Sequence, residues 1–197
     1  MSKLTLNLTT QLKANANEKI LRDGPRNRWY TGAKLAADVD QLDDQLRGLN
    51  VGHGDVVYVC LPNSGLMPIL AQAIWRIGAV MNPVSANTSV TEMLADLEAH
   101  DYAAVIVGEE FVAAVLENRQ TQRADLTLNT TERLTVIRDT AVSGHVAATP
   151  TEEDLALILQ TGESQRISLT HDSIRRRVQG RQSPTAVYWG YLFEECR

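Results

Sequence analysis

Between residues 56 and 107 the chain alternates buried-strand runs with helix-length segments, and this pattern narrows the fold more than any other feature. Val56-Val57-Tyr58-Val59-Cys60-Leu61 has no regular polar alternate, which suits a strand covered on both faces. Pro62-Asn63-Ser64 then turns the chain into a helix predicted over 65–77, stopped by Gly78. Residues 79–84 read as a second strand, with Pro83 near its end. Ser89 or Thr91 can cap a helix that reaches Ala99. Residues 102–107 form a third strand, 111–116 a short helix and 134–138 a fourth strand. Strands alternating with helices at this spacing need crossover connections, which build a parallel sheet. The expected fold class is α/β: a three-layer domain with a mainly parallel sheet and βαβ crossovers.

The flanks add further elements. Residues 9–18 have helical character, with Leu8 and Leu12 one turn apart. Ile20-Leu21 and Arg28-Trp29-Tyr30 read as two extended pieces around the Asp23-Gly24-Pro25 turn. Thr31 is placed to cap a helix whose stripe is Leu35, Val39, Leu42, Leu46 and Leu49. Asp43 and Arg47 are expected to pair on its outer face. Residues 118–131 and 141–150 are polar or small and read as loops. Residues 154–159 (Asp-Leu-Ala-Leu-Ile-Leu) suit another buried strand, and Ile167-Ser168-Leu169 a partner beside it. Thr170-His171-Asp172 offers a cap for a short helix through Val178.

Composition excludes several classes. With 44% hydrophobic and 22% charged residues over 197 positions, the chain is an ordinary globular sequence that can bury a core without disulfides. Apolar runs are far shorter than the ~20 residues a membrane span needs. The first residues are too polar for a secretory leader, and the two cysteines, Cys60 and Cys196, make no disulfide framework. A cytoplasmic location is the expectation. Net charge is −5, which argues against nucleic acid as a partner. The four histidines, His53, His100, His145 and His171, lack metal-ligand spacing, so no metal site is expected. His171 suits a position at or before a helix start, and Cys60 an inert core thiol. Arg175-Arg176-Arg177 reads as a solvated helix face. The aromatic stretch Tyr188-Trp189-Gly190-Tyr191-Leu192-Phe193 suits either a cover for an exposed edge or a homodimer contact.

Four motifs in order carry a resemblance. Trp29-Tyr30-Thr31-Gly32-Ala33-Lys34-Leu35 is similar to the "T-Y-x-E-L" helix of adenylate-forming enzymes. Gly54-Asp55-Val56-Val57 with Leu61-Pro62-Asn63-Ser64 resembles their "G-D-x-V…P-N" strand and turn. Ala73 to Val84, which holds Gly78-Ala79 and Asn82-Pro83, resembles their "A-x-x-x-x-G-A-x-x-x-P" stretch. Asp154 to Gln160, followed by Leu169-Thr170-His171, looks like the strand before the family's phosphate loop and the "L-T-H" after it. Together they resemble the N-terminal subdomain of an AMP-forming acyl-CoA synthetase, nearest to the fatty-acyl-CoA ligases. The resemblance implies ATP-dependent activation of a carboxylate through an acyl-adenylate, with ATP or AMP and magnesium as cofactors. It places the subdomain at residues 1–174 and leaves 175–197 as an Arg-rich, aromatic tail.

The same resemblance shows what has changed. The family's phosphate loop reads "T-S-G-T-T-G-x-P-K-G", a pattern whose backbone N–H groups and lysine suit phosphate oxygens. Here Thr161 and Gly162 match the second "T-G", and the first "T-S-G-T" is missing. Glu163 falls on the variable position, Ser164 on the proline, Gln165 on the lysine and Arg166 on the last glycine. All four lysines (Lys3, Lys13, Lys19 and Lys34) precede the loop. Thr161, Gly162, Ser164, Gln165 and Arg166 are the expected cofactor-facing residues, with no catalytic residue assigned. Family members also continue beyond the point where Arg197 stands. The resemblance therefore implies a truncated ligase-like protein, unable to adenylate a carboxylate on its own. The alternatives are a non-catalytic nucleotide- or acyl-binding remnant and a structural module.

Overall fold

In the computed structural model, the described residues are 1–179 apart from 25, 63 and 161–164. Seven strands form one sheet in the order β6-β7-β5-β3-β4-β8-β9. Its centre is β3 (Val56–Cys60), with β4 (Val80–Val84) on one side and β5 (Ala104–Val107) on the other, both parallel to it. Beyond β4 lies β8 (Leu155–Gln160), also parallel. Antiparallel partners close both flanks: β7 (Leu134–Asp139) and β6 (Thr121–Leu126) beside β5, and β9 (Arg166–Thr170) beside β8. A separate hairpin joins β1 (Lys19–Asp23) to β2 (Arg28–Thr31).

Period two divides the strands between two cores. Val57, Val59, Ala104, Ile106 and Val136 point into one core; Tyr58, Cys60, Val105, Val107 and Ile137 point into the other. The first core is covered by α1 (Lys3–Ala14), α2 (Gly32–Gly48), α3 (Leu66–Arg76) and α6 (His171–Gln179). The second is covered by α4 (Val90–Ala99) and α5 (Glu109–Asn118). Helices on both faces of a mainly parallel sheet give the three layers expected from the sequence.

Local signals explain the elements. The α2 stripe Leu35, Val39, Leu42 and Leu46 is buried as its spacing requires, and Thr31 accepts from the Lys34 N–H at its start. In α3 every residue from Leu66 to Trp75 is buried, so this helix is apolar all round. Its indole Nε1–H donates to the Ala156 carbonyl at 2.6 Å, which ties α3 to β8. Gly78 has φ +81° and ends the α3 turn; a Cβ there would sit 2.7 Å from the Ala148 carbonyl. Ser89 and Glu92 form a reciprocal capping box on α4.

Three expectations need correction. The first helix begins at Lys3, not near residue 9, because Ser2 caps it through the Thr5 N–H. The segment expected as loop over 118–131 contains β6, an edge strand whose outward side chains are polar. Asp43 does pair with Arg47, yet it is buried beneath Arg76, which also reaches it at 3.1 Å.

Candidate functional site

Two adjacent strands send their outgoing helices to opposite faces of the sheet. From β3 the chain passes to α3 in the first core; from β4 it passes to α4 over the second. Where outgoing connections diverge in this way, the carboxyl ends of the strands flank a crevice, the usual ligand site of open α/β sheets. β8 ends with Gln160 at this same edge, next to β4. The β8–β9 hairpin is closed at its base by the pair Gln160 and Arg166.

Of the five expected cofactor-facing residues, Thr161, Gly162 and Ser164 lie outside the described residues. Gln165 is exposed just before β9. Arg166 opens β9, and its side chain does not extend to the solvent alone. An Nη2 hydrogen of its guanidinium donates to the Tyr102 hydroxyl, and its Cζ lies 5.8 Å from the Tyr102 ring centre. His171 is the first residue of α6 and is fully buried, with Nδ1 3.0 Å from the Ser2 hydroxyl.

Tyr102 is the centre of a polar cluster beneath α4. Its hydroxyl accepts from Arg166 and from Asn82 Nδ2 at 3.1 Å, and donates to Asp96 Oδ2 at 3.2 Å. One proton given and two received exhaust a phenol's capacity. Asp96 Oδ1 receives Gln160 Nε2 at 3.4 Å and lies 2.8 Å from His100 Nδ1. Burial, then the Asp96 carboxylate, pushes the Tyr102 hydroxyl well above the ordinary tyrosine range, so it keeps its proton. Tyr58 packs edge-on against it, 5.1 Å between ring centres, and burial raises its hydroxyl too. The Tyr58 hydroxyl, Asn82 Oδ1 and Arg166 Nε are buried with no hydrogen-bond partner.

None of Tyr58, Asn82, Asp96 or Tyr102 is among the expected site residues. A signal exists: a tyrosine and an asparagine inside strands read as buried on both faces each need a polar partner.

A nucleotide fits the position and the chemistry of this edge in part. Gln165 is exposed just before β9, and the Arg166 Nε–H is buried without a hydrogen-bond partner. Among the described residues no group of three or more His, Cys, Asp or Glu could hold a metal ion. Cys60 donates its thiol to the Ser85 carbonyl at 3.3 Å, and burial pushes its pKa up to about 11, which leaves it a poor nucleophile. Among the described residues no helix is long and apolar enough to cross a membrane.

Comparison with solved structures gives the same fold. The N-terminal domain of FACL13 from Mycobacterium tuberculosis, solved with an inhibitor bound, superposes with TM-score 0.66 at 18% identity. That match covers 89% of this chain and 46% of the FACL13 chain. The anthranilate CoA ligase AuaEII, in complex with anthranoyl-AMP, matches with TM-score 0.67 and 18% identity, over 89% of this chain and 35% of its own. The N-terminal subdomain of NpsA from Klebsiella oxytoca matches with TM-score 0.58 and 20% identity, over 86% of this chain and 41% of its own. This chain thus spans less than half of each of these three structures. No curated protein matches it. The sequence pattern described as "AMP-binding enzyme" matches residues 8–191, nearly the whole chain, and the protein therefore belongs to the AMP-binding enzyme family.

Proposed function

We propose that the chain is the N-terminal, acyl-CoA-synthetase-like part of a carboxylate-activating protein, and that by itself it contacts nucleotide without forming an acyl-adenylate. The nucleotide-facing residues are Thr161, Gly162, Ser164, Gln165 and Arg166. The observation that carries this reading is the placement of the β8–β9 hairpin: it opens at the carboxyl edge where the connections from β3 and β4 diverge.

ATP, when bound, supplies the leaving pyrophosphate and the adenylate. The chain's own residues hold its phosphates through backbone N–H groups of the segment and through Gln165. A glutamine offers a dipole where the resembling family carries a lysine, and Glu163 adds a negative charge beside it. Each lost donor to a developing charge costs about 3 kcal/mol of transition-state stabilisation. Binding is weak, and adenylation by the chain alone is absent.

Pyrophosphate exchange with fatty, aryl and amino acids tests the second statement. No exchange above background is expected, and turnover with any acid overturns it. Calorimetry with ATP and AMP tests the first. A weak heat is expected that Gly162→Trp removes; equal heats from both proteins sink the nucleotide reading.

A further inference from the structure

Arg166 stands where the resembling loop carries its last glycine, so its side chain is an addition relative to that motif. The structure assigns that side chain a positioning role, in which Arg166 clamps the base of the β8–β9 hairpin to α4 through the Tyr102 hydroxyl. The inference rests on the nucleotide reading above for its functional consequence, but its geometry stands on described residues alone.

The clamp has two arms. On one strand of the hairpin, Gln160 donates to Asp96 Oδ1 at 3.4 Å. On the other, Arg166 donates to Tyr102, which donates in turn to Asp96 Oδ2 at 3.2 Å. Gln160 and Arg166 are register partners, the last residue of β8 and the first of β9. Both arms meet on one carboxylate, in the second turn of a helix whose start is fixed by a capping box. Asn82 holds the same hydroxyl from β4, at 3.1 Å, so the strand beside the hairpin is tied in as well.

Charge explains why an arginine suits the position. Asp96 is largely shielded from water, and a carboxylate there needs compensation. His100 lies 2.8 Å away at the end of α4, its side chain partly exposed; Arg166 supplies a permanent charge across a single hydroxyl. The planar guanidinium also lies beside the Tyr102 ring, a cation–π placement that an uncharged side chain forfeits. Its charge is thereby drawn inward to Asp96. Held there, it sets the angle at which the base of the hairpin, Gln160 and Arg166, meets the crevice, and so acts on nucleotide binding.

The test is hydrogen exchange on the full chain, read peptide by peptide, for Tyr102→Phe, Arg166→Met and Arg166→Lys. Tyr102→Phe keeps the ring against Tyr58 and removes only the hydroxyl. Peptides spanning 158–170 are expected to exchange about tenfold faster in Tyr102→Phe and in Arg166→Met, as loss of a charged hydrogen bond opens the segment locally. Peptides from α2 and β3 are expected to keep their rates. Arg166→Lys, which can still donate to the hydroxyl, is expected to restore most of the protection. Unchanged exchange over 158–170, or equal acceleration in α2 and β3, overturns the clamp. Should Tyr102→Phe not fold, the Met and Lys variants at the half-exposed Arg166 decide alone. Calorimetry with ATP on the unmutated chain is read separately. No heat there rejects the nucleotide reading while the exchange data still judge the clamp; heat that survives intact in Arg166→Met rejects its functional consequence.

Discussion

Single buried polar side chains hold much of this chain's irregular backbone. Asp38 on α2 is 1% exposed and accepts four hydrogen bonds, from the N–H and side chain of both Asn129 and Thr130. Removing the carboxylate strands the buried Thr130 donors away from water, while the exposed Asn129 can turn to solvent. Asp38→Ala is therefore expected to cost about 3 kcal/mol, and Asp38→Asn less, read as the shift of the urea midpoint at constant slope. A loss under about 0.5 kcal/mol would mean the loop finds other acceptors. His171 makes a pH-dependent contribution. Burial depresses its pKa from 6.5 to about 4, against the raising influence of the Asp154 and Glu152 carboxylates. Its neutral form is thus the folded form, and the unfolded chain binds a proton more readily between these two values. Stability from this residue is full above about pH 6.5 and falls as the pH drops toward 4, by on the order of 3 kcal/mol in all. Thermal melts from neutral pH down toward the folded-state pKa are expected to show that fall, and His171→Phe to flatten it. An identical slope in the variant would assign the acid sensitivity to other groups.

Elements are legible where one force dominates. Residues 56–107 announce their strands and helices because burial on both faces leaves unbroken apolar runs, and every one of those strands and helices forms. The capping signal at Ser89 is equally plain, and Ser89→Ala is expected to destabilise by about 1 kcal/mol, seen as a lower melting temperature with earlier exchange in the first turn of α4. No change in either would show that packing of Met93 and Leu97 alone holds the helix. Edges are harder to read. In β6 only Leu126 is buried, so a solvated edge strand presents the composition of a loop, and only its pairing with β7 reveals it. The candidate site divides along the same line. Gln165 and Arg166 can be named because a motif places them. Asp96, Tyr102 and Asn82 come from α4, the approach to β5 and from β4, and no local pattern brings such distant residues to one hydroxyl. A tyrosine and an asparagine in strands buried on both faces are the clues that a polar cluster lies against the sheet.

For the whole molecule, the decisive fact is that the two cores share their strands. Consecutive residues of β3, β5 and β7 belong to opposite cores, so neither core can lose its packing while those strands stay straight. The crevice at the carboxyl edge is framed by strands that answer to both. A defect on either face should then weaken the same cooperative unit. Leu42 on α2 and Val115 on α5 are each 0% exposed and sit on opposite sides of the sheet. Leu42→Ala is expected to cost about 3 kcal/mol and Val115→Ala somewhat less, since fewer atoms leave the core. Both should shift one urea transition, monitored by far-ultraviolet circular dichroism. In the double variant the losses should add to within about 0.5 kcal/mol, as sites on opposite faces share no contacts. Hydrogen exchange in β3 should accelerate in either single variant, whichever core carries the cavity. Two separated transitions, or acceleration confined to the mutated side, would show that the layers unfold independently. The flanking pair β8 and β9 would then owe its order to the first core and the clamp on Asp96, and not to the sheet as a unit.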